Sequence, residues 1–350
     1  MLATTTHKLA HILLLTLLFK MLYQTVLLAT VAASASASVQ ETPLENIKMM
    51  FDQFKTDFQK KYSSMEEESR FQNFVQTVRT IRERNAADKA KGGSAMHGIT
   101  KFADLSADEF KQRYLTYTPL TGAERSNATA AKVPQYEGSD SLVDWAGVYT
   151  TPVKDQGYCG SCWAFAASEQ IESEAMRELQ ETFTLSPQQL VECDKTSLGC
   201  NGGLQERAYN YVKRTGGIET EEAYPYTSGA AGESESCSSD NSKYVLSLTG
   251  YETLKTEADM TSYVKSTGPV SIAIDASTWS TYTGGILSEC GTDINHAVQL
   301  VGVDTEAGYW KVRNSWSESW GESGYIRLAY GQDMCGITYD VTYVTGVKKV

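Results

Sequence analysis

The chain has 350 residues, and its 31 basic and 43 acidic side chains give a formal net charge of −12 at pH 7. This length allows one large domain, or two domains with additional segments, each with a hydrophobic core. The acidic excess argues against nucleic acids and anionic membranes as partners, because both attract positively charged surfaces.

Residues 1–38 have the composition of an export signal. Two apolar runs, 9–19 and 21–33, each follow a lysine, and small residues alternate behind them. Such an ending suits signal peptidase, so we expect a cleaved signal peptide, with an uncleaved membrane anchor as the alternative. Export predicts a lysosomal, vacuolar or secreted protein in which disulfides persist. In an exported chain the sequon at Asn127 is a candidate glycosylation site.

Residues 44–91 are predicted to be helical, because they are rich in Lys, Glu, Gln and Arg and contain no glycine. Phenylalanines at 51, 54 and 58 follow the spacing of one helical face. Ser106 and Glu109 have the spacing of a capping box at the start of another helix. Residues 117–141 lack apolar periodicity and are rich in Thr, Ala, Ser and Gly. We interpret them as an exposed linker and a natural cleavage site.

The charges are divided unevenly along the chain. Residues 40–132 carry 15 basic and 13 acidic side chains, whereas residues 133–350 carry 14 and 30. The first segment is therefore expected to bind the second through complementary charge. An acidic surface that is merely solvated is the alternative.

The chain after Val143 is helix-rich first and strand-rich later. This order predicts an α+β fold with two lobes. Helices are expected over 162–181, 186–192 and 204–214, and the main strands over 270–274, 297–303, 309–312 and 325–328.

Seven cysteines leave one thiol unpaired if the other six form disulfides. Cys162 lies where the helix over 162–181 begins, and a helix N-terminus stabilises a thiolate and lowers the thiol pKa. A nucleophilic thiol also needs a base, and His296 is the only histidine after residue 98. Asn314 has the amide needed to orient its imidazole. These residue types point to nucleophilic catalysis by cysteine.

Cys159-Gly-Ser-Cys162-Trp163, followed by histidine 134 residues later and asparagine 152 residues later, resembles the signature of papain and the cathepsins. Three further stretches agree: Leu-Ser-Pro-Gln-Gln-Leu at 185–190, Gly-Cys-Asn-Gly-Gly at 199–203, and Trp-Gly-Glu-Ser-Gly-Tyr-Ile-Arg at 320–327. The chain is identified as similar to cathepsin L-like cysteine proteases of the papain family. The resemblance covers about residues 48–343 and implies a papain-like two-lobe fold, with a helical left lobe, a β-barrel-like right lobe and a preceding helical propeptide.

The resemblance implies a role for each site residue. Cys162 would be the nucleophile, His296 the base and then the acid, and Asn314 the group that orients the imidazole. Gln156 would donate its amide to the oxyanion hole, beside the backbone N–H of Cys162. Trp316 would shield the His296–Asn314 contact from solvent. The resemblance implies no cofactor or metal.

The same resemblance implies the substrate pocket and the cysteine pairing. The substrate would lie along Gly202 and Gly203, and its second residue before the scissile bond would enter a mainly apolar pocket with Asp340 at its floor. Such a pocket favours apolar side chains, and the acid would also accept arginine; a solvent-facing Asp340 is the alternative. The implied pocket walls are Leu204, Gln205, Ala273, Ile294 and Ala297, and the implied disulfides are Cys159–Cys200, Cys193–Cys237 and Cys290–Cys335.

The N-terminal region resembles an inhibitory propeptide of this family. A motif spaced along one helical face reads Glu66, Arg70, Phe74, Thr77, Ile81 and Asn85, with threonine where the family has asparagine. The expected organisation is a signal peptide at 1–38, a propeptide at 39–132 and a peptidase domain at 133–350. Partners would be protein substrates, the chain's own propeptide and cystatin-type inhibitors, and the enzyme would be a monomer.

Two departures and three rivals accompany this assignment. Ser317 and Ser319 stand where the family usually has glycine. A Cβ costs stability in a turn that needs a positive φ, so this loop is expected to differ in shape from that of the family. Cys159 and Cys162 form a C-x-x-C, which a disulfide oxidoreductase would use. A structural zinc site on cysteines 159, 162, 193 and 200 is a second rival. A catalytically silent binding or inhibitory protein on the same fold is the third.

Overall fold

The computed structural model describes residues 42–122, 129–133 and 135–350. The predicted signal segment and the sequon at Asn127 lie outside them. Two units divide the chain, Met1–Ile47 and Lys48–Val350. The described part of the first is the beginning of one helix, and the features below belong to the second. Among the described residues, no helix has both the length and the apolar character needed to cross a membrane.

Two helices, not one, form the start of the larger unit. α1 (Leu44–Asp57) and α2 (Glu67–Ala90) are separated by a turn in which Gln59 has a positive φ of 52°. The predicted continuous helix is therefore interrupted. Phe54 of α1 packs against Phe74 of α2 with their ring centroids 5.2 Å apart, and both side chains are buried. The aromatic face seen in the sequence thus joins the two helices to each other.

A third helix, α3 (Ala107–Tyr114), begins with the predicted capping box, which is confirmed. The Ser106 Oγ accepts a hydrogen bond from the Glu109 backbone N–H at 3.1 Å, and the Glu109 carboxylate accepts one from the Ser106 N–H at 2.9 Å. The two bonds satisfy donors that the helix itself leaves free. Residues 48–122, which contain α2, α3 and most of α1, are called the N-terminal region below.

A helical lobe follows, built on the buried helix α4. Its core contains Trp163, Ile171, Leu190 and Tyr209. The helices begin and end close to their predicted bounds, although α4 stops three residues earlier than expected. The lobe consists of α4 (Cys162–Glu178), α5 (Pro187–Cys193), α6 (Gln205–Thr215) and α7 (Ser228–Ala231).

The second lobe is an eight-stranded sheet with strand order β4-β11-β5-β8-β9-β10-β7, and β2 pairs with β8 beside this path. All its pairings are antiparallel except β10 with β7. Helix α8 (Glu257–Ser266) packs against it. The strands are β1 (Met96–His97), β2 (Leu142–Asp144), β3 (Leu246–Ser247), β4 (Gly250–Leu254), β5 (Val270–Ile274), β6 (Tyr282–Gly284), β7 (Ile286–Leu287), β8 (His296–Asp304), β9 (Tyr309–Arg313), β10 (Tyr325–Ala329), β11 (Asp340–Thr345) and β12 (Lys348–Lys349).

The two lobes meet where α4 lies against β8. Gln299 of β8 donates a hydrogen bond to the backbone oxygen of Glu169 at 3.1 Å, and Arg313 lies 3.5 Å from the Glu169 carboxylate. All three side chains are buried. The first residues of α4 and β8, Cys162 and His296, are thereby held at one lobe boundary. This is the α+β, two-lobe arrangement that the order of elements predicted.

Candidate active site

Cys162 is the first residue of α4, and its thiol is free. It is the one free cysteine in the described part of the chain. The other six form the disulfides Cys159–Cys200, Cys193–Cys237 and Cys290–Cys335. Cys159 is therefore committed to a structural bond, which leaves the C-x-x-C without a second thiol for redox chemistry. Among the described residues, no group of His, Cys, Asp and Glu has the arrangement of a metal site.

His296 begins β8 and is hydrogen-bonded to Asn314, which follows β9. The His296 Nε2 and the Asn314 Oδ1 are 2.8 Å apart, and the same amide oxygen accepts from the Ser315 N–H at 2.8 Å. With its oxygen so fixed, the Asn314 amide selects the tautomer that donates from Nε2, because the oxygen can only accept. The Nδ1 is buried and forms no hydrogen bond in this state, although the backbone oxygen of Tyr114 lies near the ring and favours its protonated form.

Trp316 covers this pair. Its ring centroid lies 4.8 Å from that of His296, and Trp316, His296 and Asn314 are all fully buried. Solvent is therefore excluded from the histidine–amide bond. The next residue, Ser317, has a φ of 72°, in the left-handed region that glycine favours. Of the two serines that replace glycine, Ser317 has the positive φ that makes a Cβ costly, whereas Ser319 does not.

Gln156 is held rigidly beside the thiol-bearing turn. Its Nε2 donates to the backbone oxygen of Cys159 at 3.0 Å, and its Oε1 accepts from the Ser315 hydroxyl at 2.7 Å. One amide N–H is used by the Cys159 contact and the second remains for another acceptor. No pattern in the sequence indicates that Ser315 would fix this amide.

A segment of the N-terminal region, residues 115–118, runs through the site between the lobes. The Tyr117 N–H donates to the backbone oxygen of Asn295 at 3.0 Å, and the Thr118 N–H donates to that of Gly203 at 3.2 Å. The Thr116 hydroxyl donates to the oxygen of Gly160 at 2.8 Å. We call this segment the cleft segment. The bonds of Tyr117 and Thr118 to the two lobes use backbone groups, so an extended chain of a different sequence could follow the same path.

Glycine is required where the cleft segment approaches most closely. Gly202 has a φ of 116°, and a Cβ placed on it would collide with the backbone oxygen of Thr116. A Cβ on Gly203 would meet the indole of Trp163 at 2.6 Å. These two glycines therefore form a smooth wall along which an extended chain can lie.

The side chain of Tyr117 fills a pocket between the lobes. The wall of the pocket is formed by the predicted apolar residues. The Tyr117 hydroxyl donates to the Asp340 carboxylate, which also accepts from the Gln205 Nε2 at 3.1 Å. Asp340 is only 4% exposed, so it lies inside the pocket and not in solvent. The apolar wall consists of Leu204, Ala273, Ile294 and Ala297.

Burial also affects the charges of Cys162 and His296. Burial raises the pKa of the Cys162 thiol to about 11, although nearby N–H groups, including that of Ala297, act in the opposite direction. Burial lowers the pKa of His296 to about 4, against the effect of the Asn314 hydrogen bond. In this covered state desolvation therefore outweighs the lowering of the thiol pKa that is expected from the helix N-terminus. Thiol and imidazole are both neutral at pH 7.

Comparison with known proteins identifies the family. The chain matches the papain family cysteine protease model over residues 140–345 and the cathepsin propeptide inhibitor domain over residues 51–110. It is 37% identical over 324 residues to cysteine proteinase 2 of Leishmania pifanoi, covering 89% of this chain and 71% of that protein. It is 35% identical over 318 residues to cysteine proteinase 1 of Dictyostelium discoideum, covering 85% and 92%.

Solved structures agree. Digestive procathepsin L2 proteinase from the larval midgut of Tenebrio molitor superimposes with a TM-score of 0.78 at 31% identity, covering 86% of this chain and all of that one. The chain therefore belongs to the papain family of cysteine proteases. It has the papain-like fold and carries its own inhibitory propeptide, as the zymogen of a cathepsin L-like enzyme does. The predicted resemblance is confirmed.

Proposed function

We propose that Cys162, His296, Asn314 and Gln156 are the catalytic residues of this protease. The observation that carries the proposal is the position of the free thiol at the head of α4, within reach of the Ala297 N–H, the residue next to His296. The His296 Nδ1, which forms no hydrogen bond in this state, is the nitrogen left to take up the thiol proton. Asn314 fixes the imidazole from the other side.

The reaction follows from these groups. The Cys162 thiolate attacks the scissile carbonyl carbon, and the protonated His296 gives its proton to the leaving amine, which leaves a thioester. Water, deprotonated by His296, then attacks the thioester and releases the acid and the thiol. The tetrahedral oxyanion of each step accepts from the Cys162 N–H and from the remaining N–H of Gln156, a contribution of about 3 kcal/mol per donor.

Labelling with an epoxysuccinyl inhibitor tests the nucleophile. The acid-processed protein should gain one inhibitor mass on the peptide that contains Cys162, and the Cys162→Ala variant should gain none. The unprocessed zymogen should react far more slowly, because the cleft segment buries a neutral thiol. If the processed protein is labelled and the zymogen is not, the result supports masking of the thiol by the cleft segment. If the processed wild-type protein stays unlabelled, the assignment is refuted and the alternative of a catalytically silent binding or inhibitory protein is favoured.

We also propose that the pocket occupied by Tyr117 binds the second substrate residue before the scissile bond. Its apolar wall favours Leu, Phe and Val, and its buried carboxylate adds acceptance of a donor-tipped side chain such as Arg. The position of Tyr117 supports this, because its aromatic ring lies in the apolar part of the pocket while its hydroxyl donates to Asp340. The ratio of the rate of hydrolysis of Arg-Arg substrates to that of Phe-Arg substrates measures this acceptance of arginine.

Two further expectations belong with this proposal. Cystatin-type inhibitors would enter the same cleft only after the cleft segment has left. Cleavage within 117–141 would separate a propeptide near residues 39–132 from a peptidase near 133–350. The Ala131 N–H donates to the backbone oxygen of Thr253 in the edge strand β4, and the Thr253 N–H donates to that of Thr129, both at 2.9 Å. These bonds keep part of the linker on the peptidase surface.

A further inference from the structure

A cavity of about 370 Å³ lies between α2, α3 and residues 277–281 of the peptidase lobe. It is distinct from the substrate pocket that Tyr117 fills. Aromatic and aliphatic side chains form part of its wall, but hydroxyl groups supply much of the rest. The hydroxyls belong to Thr77, Thr80, Ser106, Ser277, Ser280 and Thr281. Thr77 is the position at which the propeptide motif departs from asparagine.

The guanidinium of Arg84, on α2, forms one wall of this cavity. Its Nη1 donates to the backbone oxygen of Thr278 at 2.9 Å and to the Thr281 hydroxyl at 2.8 Å. Both acceptors are neutral. The Nε and Nη2 have no hydrogen-bond partner within the described ranges, and no carboxylate there forms an ion pair with Arg84. A partly buried cation is thus left without a counter-charge, which is costly unless an anion or water supplies it.

The other titratable groups around the cavity do not neutralise Arg84. Lys111 lines the same space and is paired with Asp293 at 3.2 Å. Asp108 also lines the cavity, but it is an exposed residue in the first turn of α3. His97 is bonded through its Nδ1 to the Thr281 hydroxyl at 2.9 Å, and burial and the charge of Arg84 lower its pKa to about 4. The histidine is therefore neutral at pH 7, and Arg84 is left as a cation that no carboxylate of the described residues contacts as an ion pair.

We propose that this cavity binds a small oxyanion, sulfate or inorganic phosphate, between Arg84 and the surrounding hydroxyls. The two free donors of a guanidinium point in parallel and match two oxygens of a tetrahedral anion, which a halide cannot offer. The Ser and Thr hydroxyls can rotate to donate to the remaining oxygens. The volume accommodates the anion with several waters.

The site is assembled from both parts of the zymogen. Arg84, Thr77 and Thr80 come from the propeptide helix α2, whereas Ser277 and Ser280 come from the peptidase lobe. An anion bound between them stabilises the covered state and has no equivalent site once the propeptide has left. Sulfate or phosphate should consequently slow activation, and its concentration would set how readily the zymogen opens.

The test uses the full zymogen with Cys162→Ala, which cannot process itself. Its melting temperature is measured against 0.01–10 mM sodium sulfate or phosphate, about the range of a weak to moderate oxyanion site, with sodium chloride keeping the ionic strength constant. We expect a saturable rise of a few degrees with either oxyanion and none with chloride alone. A parent zymogen without a saturable rise would overturn the proposal.

Variants locate the site. Arg84→Gln should abolish the saturable rise, whereas Arg79→Gln, an exposed arginine on the same helix, should keep it. Equal responses of Arg84→Gln and the parent would also overturn the proposal. If Arg84→Gln does not fold, the double variant Thr80→Val with Ser280→Ala decides, since it keeps the cation and removes two hydroxyls. It should raise the half-saturating concentration at least threefold, and an unchanged value would count against the site.

Discussion

Cys162 and His296 are held as a neutral pair by their surroundings. The cleft segment removes solvent from both, and desolvation disfavours a thiolate and an imidazolium alike. Their pKa values, about 11 and about 4, are therefore shifted in the directions that prevent an ion pair at neutral pH. When the segment leaves, water and the head of α4 stabilise the thiolate, and the two shifts should reverse. Inhibition in this zymogen is thus electrostatic as well as steric.

Asp340 should determine how the enzyme treats arginine in its pocket. Replacing it with asparagine keeps the shape and removes the charge, so hydrolysis of Arg-Arg substrates should fall about tenfold relative to Phe-Arg substrates, the effect of about 1.4 kcal/mol. The kcat/KM values of the two substrates on the activated enzymes measure this ratio. Glu306→Gln, at an exposed turn after β8, is the matched charge control. A ratio that Asp340→Asn leaves unchanged would refute the proposed role.

Helix α3 connects the propeptide helices to the cleft. Phe110 and Tyr114 on its inner face pack edge-on against Trp316, with ring centroids 5.4 and 6.1 Å away. Arg70 of α2 holds its first turn through the Glu109 carboxylate at 2.9 Å. The cleft segment begins directly after this helix. The stability of α3 therefore determines how firmly the segment stays in place.

Ser106→Ala removes half of the capping box of α3. Loss of an N-cap costs about 1 kcal/mol, so the cleft segment should detach several-fold more often and acid activation should be faster by a similar factor. The half-time of processing at fixed pH and enzyme concentration measures this. Ser64→Ala changes an exposed serine before α2 and should leave the half-time as in the wild type. A Ser106→Ala half-time equal to that of Ser64→Ala would show that α3 does not limit release.

Sequence patterns predicted those elements whose residues carry local rules. The capping box at Ser106, the helix that begins at Cys162 and the strand that begins near His296 all follow from such rules or from the family motif. Sequence patterns did not predict the break between α1 and α2, because the aromatic spacing continues across it and a glutamine does not indicate the positive φ found at Gln59. The path of the cleft segment was also unpredictable, since it depends on backbone bonds to Asn295 and Gly203, which are distant in sequence.

The whole molecule joins a nearly balanced N-terminal region to an acidic peptidase. Three lysines of the region pair with carboxylates of the peptidase: Lys101 with Asp155 at 2.8 Å, Lys111 with Asp293 at 3.2 Å, and Lys91 with Glu289. The expected charge complementarity is therefore present. Such exposed pairs contribute at most about 1 kcal/mol each, so they guide the docking of the propeptide more than they fix it.

His97 should make release of the propeptide sensitive to acid. Its pKa is about 4 in the zymogen, because burial and Arg84 disfavour the imidazolium, and near 6.5 once exposed. A lowered pKa means that the covered state binds fewer protons than the released state. The contribution of His97 is thus fully present above about pH 6.5 and is lost as the pH falls towards 4.

The variant His97→Gln tests this contribution. It keeps a polar partner for Thr281 but cannot take up the proton, so activation should need a lower pH, and at pH 5 it should be several-fold slower than in the wild type. At pH 7, where His97 is neutral, the two zymogens should have similar melting temperatures, which is the internal control. Superimposable curves of activation rate against pH for the two proteins would rule out His97 as an acid sensor.

The burial of Cys162 has a further consequence for the integrity of the neighbouring disulfide. Only two residues separate this thiol from Cys159, whose sulfur is bonded to Cys200. Thiol–disulfide exchange with that bond would require the Cys162 thiolate. A protonated and covered thiol neither exchanges nor oxidises readily. The propeptide thus acts towards Cys162 as a protecting group does in synthesis, and preserves the nucleophile and the neighbouring crosslink together.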